Sequence, residues 1–447
     1  MLNILKAILI ILVHFGIGLI STSKNIPLLY GLLVLSVGFV HIFIKHNRGH
    51  LVLFYAGYLT SLEVFLRMTG GVVFYEYGKY GVILLLILGI VMKKEFRPVV
   101  VVYFFYLMLL LVGISLSDAA NETLIRKQIA FNLSGPFVLG FSAIYFYKQK
   151  ISKKILINAL YWMLIPIFSM LGYLYIRTPD IREIAFGGAA NAKMSGGFGP
   201  NQVATILGFG VFLLMLLLSQ KKRVSGVFSL DLVLLAYMLY RGIMTFSRGG
   251  IIAGLLAFIV FIFFILIHQK KILMNLLKYF SIGSVIIIGV WIYSTEVTNG
   301  MIINRFTGKN ANGTEKEDVT SGRLDIIENQ LERFYDSPIL GIGVGNGKQR
   351  EMDNFGETQV ASHNEIFRLL EEHGVIGLLL LFVLFLVPLE NIYFSNLYAK
   401  GFLCAFYFLW LLTINHSAMR IAFPGFIYGL SLIRISQDED GQSEVLE

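Results

Sequence analysis

The chain has 447 residues, 56% of them hydrophobic and only 15% charged, with a mean hydropathy of +0.73. That composition excludes a soluble globular domain, because the apolar residues gather in runs of roughly 17 to 25, the length of a bilayer-crossing helix. The net charge of +9 sits in short connections and does not call for a nucleic-acid partner, and one cysteine, Cys404, excludes a disulfide framework and a thiolate metal site.

Lys6 precedes the first apolar run and no small-residue cleavage site closes it, so an uncleaved first helix is expected. Apolar runs near 4–21, 26–44, 51–67, 79–92, 98–117, 125–147, 155–176, 200–219, 228–246, 250–268, 276–294, 374–389, 396–414 and 419–434 follow. They predict an all-α polytopic membrane protein of about 12–14 transmembrane helices. Glu63 and Arg67, four apart in the third run, suit a structural ion pair. Lys45 and Arg48, then Lys93, Lys94 and Arg97, then Lys148, Lys150, Lys153 and Lys154, then Lys221, Lys222 and Arg223, then Lys270, Lys271 and Lys278 occupy every second connection. Basic connections stay cytoplasmic, so the amino terminus is expected inside and the intervening connections outside.

The segment Thr295–Ser362 breaks this rhythm as the one long polar stretch, and the alternation puts it on the outer face. Seven Lys/Arg against eleven Asp/Glu give it a net charge of −4, and a connector of this length is usually functional. Ser321 is placed to cap a helix running to about Asp336, with Leu324, Ile327, Leu331 and Phe334 on an apolar face and Pro338 ending it. The acidic end from Asp438 reads as a short disordered tail, and Asp438-Glu-Asp440 has no fold around it that would make it a nucleotide-sugar site.

Three outer-face groups carry the candidate chemistry. Ser247-Arg248-Gly249 lies at the tight turn between two spans. An arginine there can snorkel to headgroups, but positive charge is not favoured outside, and the glycine would let a ligand approach the backbone. Ser321-Gly322-Arg323 opens the loop helix, where a cation opposes the helix dipole, yet a helix amino terminus with a guanidinium suits a phosphate. A solvated surface arginine is the alternative there. His363-Asn364 marks re-entry into the membrane, where an imidazole can serve as a general base or simply as a structural hydrogen-bonding group. Pro200 and Asn201 open a span on the same side, where they cap the helix or line the site. Arg126, Lys127 and Arg241 are further cations suited to a polyanion. Gly341-Ile-Gly-Val-Gly-Asn-Gly347 lacks the βαβ unit of a dinucleotide site and is expected to be a hinge or a phosphate-facing loop. His268, His373 and His416 have no metal-ligand spacing.

Together these motifs resemble the O-antigen ligase and Wzy-type polymerase superfamily. The family pattern of His-Asn, nine residues and Gly-x-x-Gly matches His363-Asn364, Gly374 and Gly377; its Ser-Arg-Gly turn matches Ser247-Arg248-Gly249, and its loop arginine matches Arg323. Gly197-Phe-Gly-Pro-Asn201 is similar to the family's Gly-x-Phe-x-x-Pro-Asn segment, but shortened. The resemblance implies an amino-terminal bundle over 1–189, a ligase/polymerase-like domain over 190–390 that contains the extracytoplasmic loop 295–362, and carboxy-terminal helices and tail over 391–447. It also implies glycan transfer from an undecaprenyl-pyrophosphate-linked donor outside the bacterial cytoplasmic membrane, to a glycan or to lipid A-core. Implied roles are His363 as base and Arg248 and Arg323 as catalytic cations, with Ser247, Gly249, Asn364, Asn201 and Arg241 binding substrate. No metal and no cofactor is expected; membrane lipid, a chain-length regulator and a flippase are expected partners, and nucleic acid is not. The motifs do not separate polymerase from ligase, and the generous span count leans to polymerase. A lipid-linked oligosaccharide flippase or other transporter is the competing class, opposed by the lack of paired Gly/Pro-interrupted spans.

Overall fold

The computed structural model describes residues 2–93, 100–118, 122–179, 190–268, 273–310, 312–315, 322–347 and 363–436. Ser321, parts of the long loop and the acidic tail from Asp438 lie outside the described residues. The helices in the first half are α1 (Leu2–Ile20), α2 (Asn25–Lys45), α3 (Leu51–Met68), α4 (Tyr77–Val91), α5 (Val100–Val112), α6 (Glu122–Phe146), α7 (Lys153–Leu164) and α8 (Ile167–Arg177). The second half contributes α9 (Pro200–Ser219), α10 (Phe228–Met244), α11 (Arg248–His268), α12 (Leu273–Val297), α13 (Met301–Phe306), α14 (Arg323–Asp336), α15 (Glu365–Tyr393), α16 (Leu397–His416) and α17 (Ala422–Leu430). Among the described residues nine helices are long and apolar enough to cross a membrane and three more are shorter and apolar, so the chain is an all-α polytopic membrane protein.

Apolar runs become helices here because lipid offers no partner to the backbone, and each N–H must find its carbonyl within the segment. Most predicted boundaries fall within a few residues of the helices. The expected span 155–176 is present as one apolar stretch, Lys153–Arg177, but kinked: α7 and α8 meet at Ile165 and Pro166, where proline cannot continue the hydrogen-bond ladder. The expected last span, 419–434, is not a lipid-facing crossing. Its helix, α17, has nine residues, every one buried, and at about 1.5 Å per residue it reaches only about half of a ~30 Å hydrocarbon core. It is apolar because protein surrounds it: Gly425 abuts Leu139 and Gly429 abuts Ser142 and Phe146, all on α6. Beyond it Arg434–Ser436 pairs in parallel with Lys150–Ser152.

Glu63 and Arg67 do form the expected ion pair, at 2.7 Å, within a larger buried cluster. Arg67 also meets Glu76 at 2.9 Å, and Lys79 meets Glu76 at 2.6 Å. Two carboxylates and two cations thus cancel inside the bundle, the condition under which charges are tolerated there.

Candidate active site

The turn that carries Arg248 is built by close helix packing. Small residues let α9 and α11 touch backbone to backbone: a Cβ on Gly208 would lie 2.0 Å from the Gly250 carbonyl oxygen, and one on Gly254 would lie 2.1 Å from that of Gly208. The chain then reverses through Phe246 at φ 59°, a left-handed conformation unusual for a bulky residue. Arg305 of α13 donates from Nε to the Phe246 carbonyl at 3.1 Å, and the Ser247 amide donates to Thr245 Oγ1 at 3.1 Å. Such backbone outliers persist where surrounding contacts over-determine them.

Asn201, in the first turn of α9, is the hub. The Ser247 hydroxyl donates to Asn201 Oδ1 at 2.7 Å, which leaves the amide Nδ2 facing His363 Nδ1 at 3.5 Å. An NH₂ group can only donate, so this orientation presents His363 with its lone pair on Nδ1 and its proton on Nε2. Thr205, one turn along, donates to the Asn201 carbonyl at 2.7 Å and lies 3.1 Å from His416 Nε2. Gly249 is filled by protein: a Cβ there would stand 2.5 Å from the His416 ring, so its lack of a side chain accommodates that imidazole instead of opening the backbone to a ligand.

The spacing after His363 has a structural cause. The Asn364 side chain accepts from the Ile366 and Phe367 amides and caps α15, and its Nδ2 donates to Asn415 Oδ1 at 3.0 Å. The nine following residues form a short helix that stops at Gly374, whose φ of 59° and ψ of −137° only glycine adopts readily. Gly377 then lets this short helix fold back, since a Cβ there would lie 2.0 Å from the Leu369 carbonyl. The motif is therefore a cap, a nine-residue helix and a hinge, with His363 at its tip.

The short helix is polar yet buried, and α14 docks on it. Gln330 and Arg333 donate to the two oxygens of Glu371, each at 2.6 Å. The buried face of α14 is thus Ile326, Gln330 and Arg333, not the expected apolar set, and Leu324 is exposed. The glycine-rich loop docks on the same helix. The amides of Ile342 and Gly343 donate to the carbonyls of Glu371 and Glu372, that of Val344 to Gly113, and that of Gly345 to the Glu372 carboxylate. Those donors are spent on protein, so the expected phosphate-facing role has no free amides at these four positions.

Docking α14 brings Arg323 toward Arg248. The two charges interact, and Arg305 feels both. Burial first, and then the neighbouring guanidiniums, lowers the pKa of Arg305 and of Arg323 below the usual arginine value. His363 joins them: its pKa falls to about 3, through burial first and then the charges of Arg420, Arg323 and His416. The result is a neutral imidazole beside a cluster of cations, an arrangement suited to a polyanion.

Not every expected residue joins this group. Arg241 donates to the Leu174 carbonyl and to Thr178 Oγ1, each at 2.8 Å, and so ties α10 to the end of α8. Arg126 and Lys127 are exposed on α6. Conversely, Arg305, His416 and Arg420 enter the site although no motif marks them. The available signal was the presence of Arg305 and Arg420 in connections that the alternation of basic segments predicts to be outer ones, where positive charge is disfavoured.

Residues 232–382 match the family model for the O-antigen ligase domain, a stretch that holds Arg248, Arg305, Arg323 and His363 but neither Asn201 nor Arg420. No curated protein and no solved structure matches the chain.

Proposed function

We propose, from the premise that this chain belongs to the O-antigen ligase and polymerase superfamily, that it transfers or polymerises glycan units carried on undecaprenyl pyrophosphate at the outer face of the bacterial cytoplasmic membrane. The single observation that carries this reading is the meeting of Arg248 and Arg323, which lie 75 residues apart, with the neutral imidazole of His363.

In the proposed step the acceptor hydroxyl oxygen attacks the anomeric carbon of the donor sugar. The bond from that carbon to the pyrophosphate oxygen breaks, and its electron pair leaves with the phosphate. Arg248, Arg323 and Arg305 offset the charge that develops there, in a site where burial strengthens each contact. His363 accepts the hydroxyl proton at Nδ1, where the acceptor hydroxyl takes the place of the Asn201 amide that faces this nitrogen at 3.5 Å in the free protein, while Ser247 holds Asn201 by its Oδ1. With a pKa near 3 the free imidazole is ready to accept a proton but is a weak base. An anionic donor beside Arg323 offsets part of the positive field and raises that basicity when substrate is present. The donor's sugar–phosphate bond supplies the driving force.

The test is a deletion strain complemented with wild-type or His363→Ala protein, with surface glycan resolved by size. Single repeat units on a finished anchor indicate a polymerase, and long chains retained on the lipid carrier indicate a ligase. Full rescue by well-expressed His363→Ala protein would overturn the assignment of the base.

A further inference from the structure

The connection between α16 and α17 touches more of the site than any motif suggests. The Ala418 amide donates to the His363 carbonyl at 3.0 Å, and the Met419 amide donates to the Glu365 carboxylate at 3.2 Å. The residues around Arg420 therefore run directly alongside the segment that carries His363. The amino-terminal bundle grips the same turn from the other side. Arg67 donates to the Arg420 carbonyl at 2.8 Å, and the Ala422 amide donates to Glu63 at 2.6 Å. Gly135 of α6 leaves room for the Met419 carbonyl, which would lie 1.9 Å from a Cβ there, and the Phe131 ring centroid is 6.0 Å from the Arg420 guanidinium.

This clamp explains why four charges are buried in α3 and at the start of α4. Arg67 and Glu63 hold the backbone just after the Arg420 side chain, at its carbonyl and at the Ala422 amide, while Glu76 and Lys79 balance them. A hydrogen-bonded ion pair fixes a turn more tightly than neutral packing would, because either partner left alone in the bundle is strongly disfavoured. The charge held in this way acts on His363 and on Arg323, from a different connection than the one that carries Arg248.

We infer that Arg420 is a further residue of the reacting centre, a fixed cation that binds the oxygen-rich acceptor glycan beside His363, and that Glu63 and Arg67 position it. The acceptor role rests on the proposed transfer function; the placement beside His363 does not. The acceptor must approach the nitrogen that takes its proton, and Arg420 acts on that imidazole, whereas Arg248 and Arg305 group with Arg323 on the leaving-group side. A guanidinium fork suits vicinal hydroxyls or a sugar carboxylate.

Two measurements test this with full-length protein in nanodiscs. The first follows carbethoxylation of His363 by diethyl pyrocarbonate against pH, mapped by mass spectrometry, and needs no substrate. Only neutral imidazole reacts. The groups that face His363 are Arg323, Arg420, His416 and Asn201, with Glu365 on its own segment. Removing one cation should make the ring easier to protonate, so in Arg420→Gln the reactivity is lost at higher pH than in wild type. Arg420→Lys should stay near wild type, and Glu63→Gln/Arg67→Gln should shift in the direction of Arg420→Gln. The second measures glycan transfer from the lipid extract of a deletion strain. Arg420→Gln should raise the half-saturating extract concentration about tenfold or more, with a smaller change in kcat. A folded Arg420→Gln protein with an unchanged carbethoxylation profile and unchanged half-saturation would overturn the inference. No transfer by wild-type protein would overturn the function and with it the acceptor role, while the carbethoxylation profile would still decide the placement.

Discussion

Substituting the hinge glycine of α15 probes the account of the His363 spacing most directly. Gly374 has φ 59° and ψ −137°, and a Cβ there would lie 2.5 Å from the Pro338 carbonyl oxygen and 2.7 Å from the Gly341 nitrogen. Both neighbours are backbone and cannot swing aside. Forcing an alanine into such a conformation costs about 1–3 kcal/mol, and overpacking of this kind adds about 1–3 kcal/mol. A total of about 2–6 kcal/mol disfavours the native hinge by a factor of roughly 30 to 10⁴, since each 1.4 kcal/mol is tenfold. Gly374→Ala should therefore lower the thermal unfolding midpoint of detergent-purified protein, followed by intrinsic fluorescence, and nearly abolish glycan transfer. The control is Gly289→Ala in α12, where nothing lies within 4 Å of the added Cβ. That variant should unfold at or slightly above the wild-type temperature, because alanine is the better helix former. If Gly374→Ala matches wild type in both midpoint and transfer, the hinge does not hold His363 in place and the reasoning is wrong.

Four more outcomes follow from the same geometry. Arg333→Ala removes an ion-pair partner of the buried Glu371 carboxylate and should destabilise the protein by about 3 kcal/mol, seen as a lower unfolding midpoint. Ser247→Ala frees the Asn201 amide; the loss of about 1 kcal/mol should slow transfer roughly fivefold, with little further loss on adding Asn201→Ala. Arg248→Ala and Arg323→Ala should each cut kcat by about 10²–10³, and the double variant by less than the product, because in the proposed step the two charges act on one leaving group. With His363 held near pH 3 in the free protein, kcat/KM should show no acid limb from this group above about pH 4, whereas the limb in kcat should lie higher once anionic substrate is bound. An acid limb in kcat/KM near 6.5, lost in His363→Ala, would contradict that. The same depression has a sign for stability. The folded value lies below the unfolded 6.5, so the contribution of neutral His363 is complete above pH 6.5 and is lost as pH falls toward 3.

Membrane residence and the helices themselves were legible in the amino-acid sequence, because in lipid each segment must satisfy its own backbone and so announces itself locally as an apolar run. Pro200 at the start of α9, Pro338 after α14 and the nine residues between Asn364 and Gly374 were legible for the same reason, being written in local stereochemistry. The same local signal misled at 419–434, since an apolar run does not say whether lipid or protein will cover it; only packing against α6 made α17 a buried helix of nine residues. Tertiary structure alone decided that Gly249 makes room for His416, that Arg241 ties two helices together, and that Glu63 and Arg67 reach across more than 350 residues to hold the turn of Arg420. The charges of Arg248, Arg305, Arg323 and Arg420 are plain in the sequence, but their meeting is not. Coulomb interactions and hydrogen bonds depend on distance in space, and that distance is fixed only when the helices pack.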